Sequence, residues 1–247
     1  MTKIFAHRGA SGYAPENTLE AFRLAIQQGA DGIELDVQMS ADGHVVVAHD
    51  ETLQRVTGVT GYIKDYTLQQ LKALSFDNGM KAFAGVQIPT LQEVLELVKP
   101  HNIEVNIELK TGEYWYPGLE QKTIEVVQNS GMENRVIYSS FNHYSVQKIL
   151  ELQPAAQVAY LYSDVYLNVE QYAKQTGVFS IHPAVYHVKM ADFAEKYKQS
   201  GCKVRIWTVN DPDDMKHFIQ QDWEAIITNY PDQALRIRSN IYEGKVQ

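Results

Sequence analysis

The residues best suited to chemistry in this 247-residue chain are three carboxylates that fall in two apolar segments. Glu34 and Asp36 lie in segment 32–38, and Glu108 lies in segment 104–110. Side chains two residues apart on a β-strand point to the same face, so Glu34 and Asp36 are predicted side by side. If the strand that carries Glu108 is their neighbour, three negative charges converge.

Converging carboxylates repel one another unless a cation holds them together. A hard divalent ion such as Mg²⁺ or Ca²⁺ suits oxygen ligands, so these three residues predict a metal site. The alternative is an acidic strand end that pairs with nearby lysines. That interpretation is the better one for a single carboxylate, and the weaker one for three at adjacent strand ends.

Two histidines add a means of proton transfer. His7 ends the first apolar segment, and His49 follows segment 45–48. An imidazole gives or takes a proton near neutral pH, so the two could act as general acid and general base in phosphodiester cleavage. In the alternative, one is a metal ligand and the other a structural donor. The remaining histidines are interpreted as turn, loop or helix-surface residues, with His182 in reserve as a candidate: His44, His101, His143, His182, His187 and His217.

Two basic residues and a tryptophan complete the candidate site. Arg8 follows His7, and its planar guanidinium fits phosphate oxygens in pairs. Lys110 follows Glu108 by two residues, so the two side chains are predicted on the same face of the strand. Either basic residue could instead pair with the carboxylates, and both roles can hold together. Trp207 ends another predicted strand, where it would form an apolar wall or simply pack.

The elements that must position these residues alternate between strand and helix. Apolar segments predict strands at 3–7, 32–38, 104–110, 136–141, 157–162, 178–182, 203–209 and 225–229. Helices are predicted near 18–28, 90–98, 118–129, 143–152, 168–175, 190–200, 212–220 and 231–239. Alternation indicates a parallel sheet, and eight repeats predict a closed (β/α)₈ TIM barrel. Active sites of this fold lie at the carboxyl ends of the strands.

Helix boundaries have their own signals. Asn17 with Glu20, and Thr90 with Glu93, have the spacing of a capping box, in which side chains satisfy free backbone N–H groups. Gly29 and Gly131 stand where helices should end.

Two segments interrupt the alternation. Ala-Asp-Gly at 41–43 is a hairpin signal, so the second strand is predicted to turn and run back. With a two-residue turn, Asp36 would face His49, to within one residue of register. Residues 52–88 then form an insertion too long for an ordinary loop, predicted to hold one short helix near 67–74 and to cover the barrel mouth. The chain 1–247 is thus predicted to be one barrel domain with 52–88 inserted.

Composition narrows the function classes. Hydrophobic residues make up 45% and charged residues 21%, as in soluble globular proteins. The net charge is −8 with no basic run, which argues against nucleic-acid binding and requires a local cation for any anionic substrate. The single cysteine, Cys202, cannot form an internal disulfide. With no signal core and no membrane-length apolar run, a cytoplasmic protein without stable membrane insertion is predicted. Whether it is a homo-oligomer is left open.

Ordered motifs along the chain resemble those of the glycerophosphodiester phosphodiesterases. They are His7-Arg8-Gly9 with Pro15-Glu16-Asn17-Thr18 and Ala21-Phe22; Glu34-Leu35-Asp36-Val37 with Asp42-Gly43 and Val46-Val47-Ala48-His49-Asp50; Asn106-Ile107-Glu108-Leu109-Lys110; Trp207-Thr208-Val209-Asn210; and Thr228-Asn229-Tyr230-Pro231-Asp232. Each motif alone is weakly specific, but the ordered set spans essentially the whole chain. In lacking a signal peptide, the chain is similar to the cytosolic bacterial members.

The resemblance implies a reaction and a set of roles. The family hydrolyses deacylated phospholipids, such as glycerophosphocholine and glycerophosphoethanolamine, to sn-glycerol 3-phosphate and an alcohol. It implies a TIM barrel with a characteristic insertion. The implied roles are His7 and His49 as the acid/base pair, Glu34, Asp36 and Glu108 as ligands of Mg²⁺, Ca²⁺ or Mn²⁺, and Arg8 and Lys110 near the phosphate. The preferred alcohol, the metal and the direction of proton transfer are left open.

Two positions depart from the family pattern. Ser40 stands where a Thr is usual and Asn229 where an Asp is usual, and neither is expected to touch the chemistry.

Two alternative functions are also considered. A lysophospholipase D-type reaction would need an apolar groove at the mouth, and the insertion offers aromatic residues that could equally be its own core: Tyr62, Tyr66, Phe76 and Phe83. A non-catalytic barrel that binds glycerol phosphates is the third interpretation. The presence of all five candidate residues argues against it, because degenerate members usually lose one.

Overall fold

Eight parallel strands close into a barrel in the computed structural model, which describes residues 1–190 and 192–243. The described strands are β1 (Lys3–His7), β2 (Gly32–Met39), β3 (Val45–Val47), β4 (Glu104–Leu109), β5 (Val136–Ser140), β6 (Gln157–Tyr162), β7 (Ser180–Pro183), β8 (Lys203–Ile206) and β9 (Ala225–Thr228). The barrel order is β1-β2-β4-β5-β6-β7-β8-β9, and β9 pairs with β1 to close the ring. The predicted (β/α)₈ TIM barrel is confirmed.

Helices connect the barrel strands. The described α-helices are α1 (Leu19–Gln28), α2 (Gln54–Thr57), α3 (Leu68–Lys72), α4 (Leu91–Val98), α5 (Leu119–Ser130), α6 (His143–Leu152), α7 (Val169–Gln175), α8 (Phe193–Ser200), α9 (Pro212–Gln220) and α10 (Pro231–Glu243). Short 3₁₀ helices lie at Ile63–Asp65, Lys81–Phe83, Glu133–Arg135 and His187–Lys189. The predicted helix 190–200 begins at Phe193 here, and its residue 191 lies outside the described residues, as do positions 244–247. None of the described helices is long and apolar enough to cross a membrane.

Most predicted helix ends agree with the structure. Thr90 and Glu93 form a capping box at the start of α4, and Gly29 and Gly131 end α1 and α5 in the left-handed conformation. The predicted cap at Asn17 is wrong: Thr18 caps α1 by accepting a hydrogen bond from the Ala21 amide. Asn17 instead turns its side chain toward a buried carboxylate of β2, described below.

The hairpin of β2 and β3 has a different register from the one predicted. Val37 pairs with Val47 and Met39 with Val45, so Ala48 rather than His49 stands opposite Asp36. The connection is one residue longer because Gly43 adopts a φ of 81°, which glycine reaches without strain. His49 therefore lies just past the paired strand, where its side chain is free to face the barrel mouth.

The insertion 52–88 has an apolar cluster separate from the main core. Two of its buried members, Val46 and Ala48, come from β3 and the residue after it. The others lie in the insertion: Leu53, Ile63, Leu71, Phe76 and Ile88. The prediction of a single helix near 67–74 underestimated this segment, which holds α2, α3 and two 3₁₀ helices. Of its four aromatic residues only Phe76 is buried, whereas Tyr62 is half exposed.

Candidate active site

The barrel register brings the three predicted carboxylates to one point. His7 of β1 stands opposite Glu34 of β2, and Asp36 stands opposite Glu108 of β4. Oxygens of Glu34, Asp36 and Glu108 lie within 4.8 Å of one another, and all three residues are buried. Because adjacent parallel strands place their inward-facing residues at matching heights, this convergence follows directly from the strand pairing.

The cluster carries more negative charge than its surroundings neutralise. Burial, together with repulsion from Asp36 and Glu108, raises the pKa of Glu34 well above its usual value. Burial also raises the pKa of Glu108, although Lys110 opposes the shift. For Asp36, the effect of burial is outweighed by nearby positive charges, Arg8 foremost, which lower its pKa. Of the three carboxylates, Glu34 is thus the one whose charged form is most disfavoured.

One oxygen of the cluster lacks a hydrogen-bond donor. Asp36 Oδ1 is buried and has no hydrogen-bond partner among the residues that the structure describes, which costs roughly 1–3 kcal/mol when nothing compensates. Its other oxygen, Oδ2, accepts a hydrogen bond of 2.8 Å from the Asn17 side chain. An unpaired oxygen among three carboxylates is the arrangement that a hard divalent cation requires. The residues present therefore fit a metal ion held by Glu34, Asp36 and Glu108.

The turn after β1 wraps around this cluster. The Arg8 backbone N–H donates to Glu34 at 3.0 Å, and its guanidinium Nε lies 3.4 Å from Asp36. Arg8 and Gly9 both have positive φ, and a Cβ at Gly9 would lie 2.7 Å from Ala21. The glycine is needed because α1 packs so closely against the turn.

His7 has a neutral partner. Its Nδ1 lies 2.7 Å from Asn229 Oδ1, and since an amide oxygen can only accept, Nδ1 carries the proton. Its Nε2 then holds a lone pair, 4.0 Å from Glu34. Burial, with a smaller contribution from Arg8, lowers the pKa of His7 to about 4. This imidazole is neutral at pH 7 and presents an unprotonated nitrogen.

His49 has a charged partner and belongs to a longer network. Its Nδ1 donates to Asp50 Oδ1 at 2.6 Å. Arg55, from α2 of the insertion, forms paired hydrogen bonds to Asp50 and also to Glu16. Burial opposes ionisation of Asp50, but the hydrogen bonds from Arg55 and His49 prevail and lower its pKa to about 2.

The network continues to the other side of the site. Besides the two hydrogen bonds from Arg55, Glu16 accepts a third, from the Arg8 guanidinium at 2.9 Å. An unbroken series of charged contacts thus runs from the carboxylate cluster through Arg8, Glu16, Arg55 and Asp50 to His49. The insertion is thereby tied to both halves of the site.

A cavity of about 410 Å³ lies against Glu108 of the carboxylate cluster. We refer to it as the catalytic cavity. His49, Glu108, Lys110 and Phe141 are among its lining residues. Lys110 donates to Glu108 at 3.0 Å, and the surrounding negative charges raise its pKa despite burial, so its ammonium stays charged. Trp207 does not line this cavity. It donates to the His182 carbonyl and contacts Phe141 edge-on, with ring centroids 5.5 Å apart.

The other histidines lie elsewhere. His44 is exposed in the hairpin turn, as predicted. His182 is buried inside the barrel near Ser180 and is not part of the carboxylate cluster. The prediction that His187 is a surface residue is wrong: it is buried, with Nε2 2.8 Å from the Ser163 carbonyl.

Two asparagines contact candidate site residues in a way that the sequence did not predict. Asn17 was assigned to a helix cap although it holds Asp36. Asn229 was expected not to touch the chemistry, and that expectation is wrong because it contacts His7 directly. Its backbone N–H is itself held by Asn210 at 2.9 Å. The contact between Asn229 and His7 could have been predicted from the position of Asn229 in the chain. It follows the last barrel strand, which neighbours β1 once the barrel closes.

The comparisons with known proteins agree with the geometry. Residues 7–233 match the Glycerophosphoryl diester phosphodiesterase family. The chain is 41% identical over 239 residues to a glycerophosphodiester phosphodiesterase from Caldanaerobacter subterraneus subsp. tengcongensis, covering 96% of this chain and 97% of that protein. It is 39% identical over 244 residues to a glycerophosphodiester phosphodiesterase from Bacillus altitudinis, covering 98% and 100%.

Solved structures give the same result. A glycerophosphodiester phosphodiesterase from Agrobacterium tumefaciens superimposes with a TM-score of 0.83 at 29% identity, covering 96% of this chain and 100% of that chain. A phosphodiesterase from Oleispira antarctica superimposes with a TM-score of 0.84 at 29% identity, covering 96% of each. The Oleispira antarctica protein was solved in complex with the product sn-glycerol-3-phosphate.

The Asn229 contact yields a direct test. Asn229→Ala removes the acceptor that fixes the His7 tautomer, so kcat for glycerophosphodiester hydrolysis should fall roughly 10–100-fold with little change in KM. Asn229→Asp keeps an acceptor and should retain more activity. Asn240→Ala, an exposed asparagine on α10, is the matched control. Unchanged turnover in Asn229→Ala would show that this contact does not orient a functional histidine.

Proposed function

The chain belongs to the Glycerophosphoryl diester phosphodiesterase family and is a phosphodiester hydrolase, and from this premise we propose the details of its reaction. The proposed substrates are glycerophosphodiesters such as glycerophosphocholine and glycerophosphoethanolamine, cleaved to sn-glycerol 3-phosphate and an alcohol. The observation that supports this most strongly is the buried cluster of Glu34, Asp36 and Glu108 beside two histidines with unlike partners. We further propose that the insertion 52–88 is a subdomain that holds His49 in place through Arg55.

The substrate phosphate is proposed to lie in the catalytic cavity beside Lys110. The Lys110 ammonium has three N–H donors, and one of them is used by Glu108, so donors remain for phosphate oxygens. Arg8 adds positive charge behind the carboxylates. A Mg²⁺, Ca²⁺ or Mn²⁺ ion held by Glu34, Asp36 and Glu108 would supply the positive charge that offsets the phosphate oxygens and favours an attacking hydroxyl.

The two histidines are proposed to have opposite roles. Asn229 holds the Nδ1 proton of His7, which leaves Nε2 unprotonated. His7 Nε2 then accepts the proton of the hydroxyl whose oxygen attacks phosphorus. His49 lines the catalytic cavity, and its Nδ1 is held by the Asp50 carboxylate, so Nε2 is the ring nitrogen left to face the departing alcohol. We therefore assign His49 to protonate the oxygen of the departing alcohol as the phosphorus–oxygen bond breaks.

The activity and its metal requirement can be tested together. Release of sn-glycerol 3-phosphate should be detected from a panel of glycerophosphodiesters. It should be lost in EDTA and restored by Mg²⁺, Mn²⁺ or Ca²⁺, because the carboxylate cluster otherwise lacks its cation. Full activity in metal-stripped protein would remove the three carboxylates from the ligand role. Absence of release from every diester of the panel would contradict the proposed reaction itself.

The histidine roles predict separable kinetic defects. His7→Ala and His49→Ala should each reduce kcat by roughly 10²–10⁴-fold, with less effect on KM, since other groups still hold the phosphate. His44→Ala, in the exposed hairpin turn, should be nearly silent.

A change of leaving group then assigns the acid. A diester that releases p-nitrophenol needs little protonation, so His49→Ala should recover much of its rate on it while His7→Ala should not. Recovery by His7→Ala instead would reverse the assignment. If neither variant loses more than a few-fold on the natural diester, the acid/base pair is wrong.

A further inference from the structure

A second cavity adjoins the catalytic one and has no role in the proposed mechanism. It has a volume of about 720 Å³ and lies at the carboxyl ends of β5 and β6, beside the start of α6 and the segment before α7. Phe141 lines both cavities. The Lys110 ammonium lies 6.0 Å from the centre of the Phe141 ring. A group attached to a phosphate at Lys110 therefore needs only to pass Phe141 to enter the second cavity.

Aromatic rings form much of the wall of this second cavity. The lining includes Phe141, His143, Tyr144, Tyr162, Tyr166 and Tyr172. His143 stacks on Tyr172 and on the buried Tyr160, with ring centroids 5.7 Å and 4.0 Å apart. Tyr144 is 77% exposed and Tyr166 is 51% exposed, so their surfaces are available to a ligand.

The charge of the second cavity is negative. Asp164 is among its lining residues, which within 1–190 and 192–243 include no Lys or Arg. Burial lowers the pKa of His143, so this ring adds no positive charge at neutral pH. The Asp164 carboxylate accepts a hydrogen bond of 3.4 Å from Tyr166, which places the acid against an aromatic ring.

Aromatic faces next to one carboxylate are the chemistry that recognises an organic cation. The face of an aromatic ring is electronegative and attracts ammonium groups, most effectively quaternary ones, which carry no strong hydration shell. A purely apolar chain fits less well, because it would cover the Asp164 carboxylate without offering it a charged partner. The catalytic cavity, with its carboxylates and Lys110, instead suits the hydroxyls of glycerol.

We propose that the second cavity binds the alcohol half of the substrate when that alcohol carries an ammonium group, as choline does. This subsite rests on the proposed function, because it places the phosphate at Lys110. Its consequence is selectivity: diesters of cationic alcohols are cleaved in preference to diesters of uncharged alcohols. Asp164 and Tyr166 are the residues that determine this preference.

Kinetic selectivity gives the first test. The quantity to measure is the ratio of kcat/KM for glycerophosphocholine to kcat/KM for glycerophosphoglycerol, whose alcohol is neutral. Asp164→Asn and Tyr166→Leu should each lower this ratio about two- to fivefold, mainly through KM for the choline diester. Tyr166→Phe keeps the aromatic face and should preserve the ratio. Glu125→Gln, an exposed acid on α5, changes the net charge equally and should have no effect.

A binding measurement tests the subsite without turnover. Choline should quench tyrosine fluorescence of the protein at lower concentration than 3,3-dimethylbutan-1-ol, its uncharged isostere, and Asp164→Asn should abolish the difference. Choline binding in a protein that hydrolyses no diester would contradict the proposed function but support the subsite. Hydrolysis with the same ratio in wild type, Asp164→Asn and Tyr166→Leu would overturn the subsite alone. Tighter binding of the isostere would overturn it in favour of an apolar occupant.

Discussion

Mutual repulsion among three buried carboxylates is the constraint on which the site depends. The side chains of Glu34, Asp36 and Glu108 meet because the pairing of β2 with β4 places them on the same face of the barrel wall. Burial makes ionisation of the group costly, and the raised pKa of Glu34 expresses that cost. Arg8, Lys110 and Asn17 reduce the repulsion from different sides, yet Asp36 still has an unpaired oxygen. These residues fit a divalent cation, which would complete the arrangement.

The remainder of the site is organised as two imidazoles with unlike partners around that charge. His7 is held by the neutral amide of Asn229, just after the last barrel strand, and His49 is held by Asp50, just before the insertion. Arg55 connects the two sides because it binds Asp50 and Glu16 at once. Arg55 therefore connects the insertion to residues on both sides of the candidate site.

Local patterns predicted much of this molecule. Strand–helix alternation gave the barrel, and spacing by two residues placed Glu34 beside Asp36, because both signals arise from the period of the strand. Contacts between residues far apart in sequence could not be predicted from these local patterns. Asn229 lies 222 residues from His7 and becomes its neighbour only when β9 pairs with β1. Asn17 matched a helix-cap pattern, but a buried carboxylate competed successfully for its amide. The aromatic cavity at β5 and β6 likewise requires several loops to come together.

The central proposal is that Glu34, Asp36 and Glu108 together bind a divalent metal ion. Calorimetric titration of Mg²⁺, Ca²⁺ or Mn²⁺ into metal-stripped protein, in buffers of different ionisation enthalpy, measures both metal binding and proton release. Since the pKa of Glu34 is raised, binding at mildly acid pH should release a proton, and the apparent affinity should increase as the pH rises. Asp36→Asn should lose most of the binding. Absence of binding of Mg²⁺, Ca²⁺ and Mn²⁺ alike, or binding that is unchanged in Asp36→Asn and releases no proton, would contradict the account.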